Sequence, residues 1–297
     1  MYAAGWSRLQ EGKPGPAVNH LQALLRAKPP EELAAQALYL IGGGFYRLER
    51  YDSAARSYRD VYTFYPRSAW AAPAVFWAGW CELKTGNHQA ALKEFEHLIN
   101  AYPASDMTAE AKVRRGDALA RLDRAGEARR AYAEVLESHP LGREAALAQS
   151  GIAWTHFRAE DWEAAEKAFK KILLLYPAGP VQADALMRLG DTAYNQRRFG
   201  DAAGYYARVI TRYPDTEEYA EALYSSGWAA YHREDFDAAV ARWNRLVREH
   251  PRHVMAGEAL YWMAWARFRQ SQFDEALTIF KNFRRRYPDS HLAVDAH

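Results

Sequence analysis

The sequence predicts an all-α protein, an α-solenoid of antiparallel helix pairs with a 37-residue period, and three observations carry that reading. Eight prolines, Pro29, Pro66, Pro103, Pro140, Pro177, Pro214, Pro251 and Pro288, each stand 37 residues after the last. An alanine lies 25 residues after each of seven of them, at Ala54, Ala91, Ala128, Ala165, Ala202, Ala239 and Ala276, with Ala17 in the shortened first copy. Around that alanine, apolar residues recur at helical spacing: Tyr58, Phe95, Tyr132, Phe169, Tyr206, Trp243 and Phe280, then Val61, Leu98, Val135, Ile172, Val209, Leu246 and Phe283. A fixed period of this size, held by single-residue columns, signals stacked helical units rather than one globular core.

The elements follow in order within each period. Thirteen residues after the proline sits a small residue, Gly42, Gly79, Gly116, Ala153, Gly190, Gly227 or Ala264, where a larger side chain would hold two helices apart. Flanking apolar positions such as Leu38, Val75, Leu186, Leu223 and Leu260 give a first helix, at 31–49, 68–85, 105–122, 142–158, 179–196, 216–233 and 253–270. Turn signals follow at Thr85-Gly86-Asn87, Arg233-Glu234-Asp235 and Gln270-Ser271-Gln272. The apolar stripe around the alanine is the second helix, at 51–64, 88–101, 125–138, 162–175, 199–212, 236–249 and 273–286. Proline then ends that helix, and a hydroxyl two residues on (Ser68, Ser105, Thr216, Ser290) is expected to cap the next. The chain therefore reads as a single array: a partial repeat at 1–29, full repeats at 30–66, 67–103, 104–140, 141–177, 178–214, 215–251 and 252–288, and a truncated repeat at 289–297. Neither end shows a polar cap, so a longer parent chain is expected, along with self-association through the cut repeat ends.

Composition narrows the function classes. Thirty-nine Lys and Arg balance 37 Asp and Glu, a formal charge of +2, which gives no bulk attraction to nucleic acid or an anionic membrane. No apolar run is long enough to span a bilayer, so direct membrane insertion is not expected. The single cysteine, Cys81, excludes an internal disulfide framework and leaves the compartment open, cytoplasm included.

The small residue, the turn, the column alanine, the aromatic four later and the closing Tyr-Pro pairs, such as Tyr65-Pro66 and Tyr287-Pro288, together resemble the tetratricopeptide repeat family over essentially the whole chain. The usual unit there has 34 residues, and each unit here is three longer. Where that family often has a second alanine in the second helix, this chain has Asp60, His97, Glu134, Lys171, Arg208 and Arg245. The resemblance implies a right-handed superhelix whose first helices line a concave face. Segments such as Tyr213-Pro214-Asp215-Thr216, leading to Glu221-Ala222-Leu223-Tyr224, look like the bacterial envelope branch of the family, which includes Tol-Pal-associated periplasmic proteins and outer-membrane-assembly lipoproteins. This implies a periplasmic or outer-membrane-associated protein.

Two columns on the first helices are the candidate binding surface. One runs Gly43, Trp80, Asp117, Trp154, Asp191, Trp228, Trp265, preceded by Trp6; its alternation suggests a duplicated pair of repeats. The other, one helical turn on, runs Arg47, Lys84, Arg121, Arg158, Asn195, His232, Arg269. Tyr39, Phe76, Met187, Tyr224 and Tyr261, four residues before the Trp column, are expected to extend the aromatic surface. Such residues suit capture of a protein or peptide partner by stacking, cation–π contact and charge-assisted hydrogen bonds. The same Trp column also suits packing between repeats, and the basic column a solvated face.

No catalytic or cofactor motif stands beside these columns. The sequence has no His-Glu-x-x-His, phosphate loop, nucleophile elbow or cysteine pair, and Gly42-Gly43-Gly44 falls inside a helix rather than after a strand. His250 and His253 flank a proline and read as capping or solvent-facing groups more readily than as metal ligands. Asp117 and Asp191 lie two repeats apart, too distant for an acid/base pair. No active site, metal or cofactor is expected. The leading expectation is a non-catalytic scaffold, and the alternative is the repeat region of a larger envelope enzyme or polysaccharide exporter that contacts glycan.

Overall fold

The computed structural model describes residues 1–177 and 181–293, and among them it holds sixteen α-helices and no strand. The expected helix start at 179–180 and residues 294–297 of the truncated repeat lie outside the described residues. The chain divides into two compact halves, Met1–Thr155 and His156–His297.

In the N-terminal half, α1 (Tyr2–Gln10), α2 (Pro14–Arg26), α3 (Glu31–Arg47), α4 (Tyr51–Phe64), α5 (Ala71–Lys84), α6 (His88–Ala101), α7 (Thr108–Arg121) and α8 (Ala125–Ser138) each pack on the next. The division falls within α9 (Arg143–Arg158). In the C-terminal half the same succession joins α10 (Trp162–Leu175), α11 (Val181–Asn195), α12 (Phe199–Arg212), α13 (Glu218–His232), α14 (Phe236–Glu249), α15 (Ala256–Arg269) and α16 (Phe273–Arg286). A short 3-10 turn, His291–Ala293, follows. Each half is thus an α-solenoid segment of helix pairs.

The sequence columns explain this packing. The alanine of every second helix is at most 2% exposed, because its helix presses against the first helix of its own pair. Opposite it, the small residue receives the aromatic ring four residues beyond the alanine. A Cβ added to Gly79 would lie 2.8 Å from the Phe95 ring, and one added to Gly190 2.3 Å from Tyr206. Phe95, Tyr132, Phe169, Tyr206 and Trp243 are consequently among the largest fully buried side chains. Each contributes about 1.5–3 kcal/mol by burial.

Both ends of each pair are built from backbone chemistry. First helices close with a residue in the left-handed region: Glu49, Gly86 and Asp123 in one half, Glu160, Arg197, Glu234 and Ser271 in the other. The following amide then reaches back five residues, as Arg50 N donates to Phe45 O at 2.9 Å and Asp235 N to Ala230 O at 3.0 Å, which reverses the chain within one turn. Second helices end at the Tyr-Pro pairs, whose proline has no amide to continue the ladder. The tyrosine of the pair ties its unit to the one before, since Tyr102 Oη donates to the Pro66 carbonyl and Tyr287 Oη to that of Pro251, each at 3.1 Å.

One expectation is corrected here. The hydroxyls after proline do not cap the first helices. Ser68 and Ser105 accept from the amides of Trp70 and Met107, forming a tight turn, and α5 and α7 begin only after it. Thr216 instead donates to the Tyr213 carbonyl at 3.0 Å.

Candidate functional site

The basic column emerges at the ends of the first helices, and Arg47, Lys84, Arg121, Arg158, His232 and Arg269 are all exposed. Their last-turn position sets the arginines and Lys84 against the negative end of the helix dipole. Among the described residues, no ion pair holds Lys84, Arg121 or Arg158, whereas Arg47 is committed to the Leu9 carbonyl and Arg269 lies over the Phe236 ring at 5.5 Å.

One turn earlier, Trp80, Trp154, Trp228 and Trp265 are half-buried. Trp80 takes the Arg114 guanidinium over its ring at 4.7 Å. Trp228 packs against Trp262 (4.6 Å), Trp243 (5.5 Å) and Tyr231 (5.6 Å), and Trp265 against Phe268 (5.5 Å) and Phe280 (5.9 Å). Packing between helices and a partly open ring are thus combined at this column. The aromatic column four residues earlier differs from expectation. Phe76, Met187 and Tyr261 are buried; the ring of Tyr261 sits on Phe280 and Phe283, so it offers no surface to a partner. Tyr224 is half-buried, with its hydroxyl donating to Glu258 at 2.8 Å.

The aspartates that interrupt the Trp column have a distinct environment. Tyr132 donates to Asp117 at 2.7 Å, and Arg114 donates to the other oxygen at 2.8 Å. The arrangement recurs two repeats on: Tyr206 donates to Asp191 at 2.9 Å and Arg188 binds its second oxygen. Arg188 also binds Asp184 at 3.3 Å and Glu221 at 3.1 Å. Burial raises the Asp191 carboxyl above its ordinary value, against the pull of Arg188 and Tyr206. A pairing of columns in the sequence underlies these clusters: aspartate on the first helix coincides with tyrosine on the second, and Trp80 and Trp154 coincide with Phe95 and Phe169.

Beside Asp191, the C-terminal half has an open pocket of about 380 Å³ lined by Phe157, Asp191, Tyr194, Asn195, Tyr206, Ser225 and Trp228. Tyr194 and Trp228 both approach His232, with ring centroids 5.6 and 5.9 Å away, while His232 stacks on Phe199 at 4.8 Å. Partial burial, and then the charge of Arg197, hold His232 below its ordinary value. Of the aromatic and basic residues expected to contact a partner, Trp228 alone lines this pocket, joined by Asp191 and Asn195 from the same two columns.

Among the described residues, no group of three or more His, Cys, Asp or Glu is arranged to hold a metal ion, and no helix is long and apolar enough to cross a membrane.

Residues 151–297 match the family model described as YfiO, outer membrane lipoprotein. Tetratricopeptide repeat models match residues 2–69, 74–105 and 113–180. No curated protein sequence matches the chain. Among solved structures, it is similar to PilF of Pseudomonas aeruginosa (TM-score 0.58, 19% identity, 77% of this chain and 98% of that one). It is likewise similar to PilW, described as a widely conserved type IV pilus biogenesis factor (0.61, 19%, 76% and 98%). A third is YrrB, described as a TPR protein with an unusual peptide-binding site (0.53, 20%, 68% and 96%). At these identities the likeness concerns the fold. With repeat models matching most of its length and helix pairs stacked as that fold requires, the chain belongs to the tetratricopeptide repeat family.

Proposed function

We propose that the protein is a non-catalytic scaffold that binds a segment of a partner protein along the surface of its first helices, within a bacterial envelope assembly. The observation that carries this reading is the exposed basic column one turn beyond half-buried tryptophans. Lys84 and Arg121 in particular lack an ion-pair partner among the described residues. A partner's carboxylates or main-chain carbonyls satisfy such cations while its side chains cover the open ring edges. The envelope setting is supported by the match of residues 151–297 to an outer membrane lipoprotein family and by the fold shared with PilW.

Photo-crosslinking tests the proposal. A photoreactive amino acid in place of Lys84, in cells making the full-length protein, is expected to give a discrete protein adduct that is lost on the double reversal Arg121→Glu, Arg158→Glu. An adduct unchanged by the reversal, or no protein adduct, overturns it.

A further inference from the structure

The basic column is interrupted in one place, at Asn195, and the next member, His232, is its one imidazole, whose protonation is disfavoured by partial burial and then by the charge of Arg197. The pocket beside Asp191 opens at this interruption. Its walls are the rings of Phe157, Tyr194 and Trp228, and its polar edge is the Asp191 carboxylate with the Tyr206 hydroxyl. Behind that edge, the carboxylates of Asp191 and Glu221 share the guanidinium of Arg188, the one cation that acts on Asp191, so this edge offers a partner's cation carboxylate charge. Aromatic faces add to that field, because the negative face of each ring attracts a cation.

The geometry points to an occupant: this pocket receives the cationic end of an arginine or lysine side chain from an extended segment of the partner protein, with its charge against Asp191 and its stem between the rings. The inference rests on the partner-binding reading above and gives it a register: a basic residue of the partner set here. Arginine suits the site better, since its planar guanidinium stacks on an aromatic face while donating in plane to a carboxylate. A neutral sugar also stacks on such rings and donates hydroxyls to a carboxylate, but it lacks the charge–charge attraction and the cation–π contact that a guanidinium gains here.

The test uses the full chain and peptides selected against it from a randomised displayed library, each then synthesised with a fluorescent label and measured by anisotropy. Selected peptides are expected to carry an arginine or lysine whose replacement by citrulline, of arginine's shape without its charge, weakens binding about tenfold or more, the worth of a charge-assisted hydrogen bond. That penalty is expected to vanish in Asn195→Arg, which places in an exposed position the residue its column carries at Arg121 and Arg158. Glu221→Gln, also at a partly exposed site, should reduce it. Peptides that bind with no penalty for citrulline, or whose penalty survives Asn195→Arg, overturn the pocket assignment and leave the scaffold reading standing. Displacement of the peptide by chitotetraose overturns it in favour of a sugar site. Failure to select any binding peptide overturns both.

Discussion

Gly190→Ala should destabilise the C-terminal half although it replaces glycine by the best helix former. Within α11, alanine in place of glycine favours the helix by about 1 kcal/mol. Against this, the new methyl would meet the Tyr206 ring at 2.3, 2.6 and 2.9 Å. That ring cannot swing aside: Tyr206 is 1% exposed and its hydroxyl is held by Asp191 at 2.9 Å. Overpacking of this kind costs about 1–3 kcal/mol and here sits at the upper end, leaving a net loss of about 1–2 kcal/mol. Gly204→Ala is the internal control. It lies on α12, exposed, with no atom within 4 Å of the added Cβ, and should stabilise by about 1 kcal/mol. Because a repeat array unfolds by segments, amide hydrogen exchange across α11 and α12 is the appropriate readout rather than one melting temperature. Slower exchange in Gly190→Ala, matching Gly204→Ala in sign, would refute the argument that ring packing sets the small-residue column.

Glu234→Gly, at a turn residue with φ +61°, should stabilise α13 and α14 by about 0.5–1 kcal/mol by removing left-handed strain, seen as slower exchange there; faster exchange would count against it. Tyr132→Phe removes the hydroxyl donor from Asp117 and should cost about 1–2 kcal/mol, read in α7 and α8, with Phe95→Leu as a packing control. His232 has a folded-state value below its unfolded 6.5, so the fold disfavours its protonation: stability is fully present above pH 6.5 and falls as pH drops through that value. An NMR titration of its ring protons should give a midpoint below 6.5, and His232→Gln should flatten the pH dependence of exchange near Trp228.

The second helices were legible because their stripe is a plain helical period pinned by alanine and terminated by proline. The first helices begin later than their sequence signals, since Ser68 and Ser105 commit their hydroxyls to a turn before the helix starts. The left-handed turn residue was hidden because only Gly12 and Gly86 in its column are glycine, and the others, such as Glu234 and Arg197, carry no compositional mark. For the candidate surface, helical spacing located Trp228 and Lys84 but could not rank exposure along a face. Tyr261, one turn from Trp265, falls on the side that meets α16 and is enclosed by it. The pocket at Asp191 draws on α9, α11, α12 and α13, and no single column contains it.

The pairing of Asp117 with Tyr132 and of Asp191 with Tyr206 bears on how a chain of near-identical units avoids assembling wrongly. In such a chain each second helix has several rivals for its berth, and a loop-length exchange could seat the helix of a neighbouring unit there at small geometric cost. Were α6 or α10 to take the place of α8, Phe95 or Phe169 would face Asp117, and a carboxylate would lose its phenol donor inside the packed pair. Nearest neighbours are thereby made poor substitutes, while α4, α8 and α12, two repeats apart and each with a tyrosine at this position, remain interchangeable in this respect. Insertions and losses during the history of such a gene are then expected to survive in steps of two repeats, 74 residues, more readily than in steps of one.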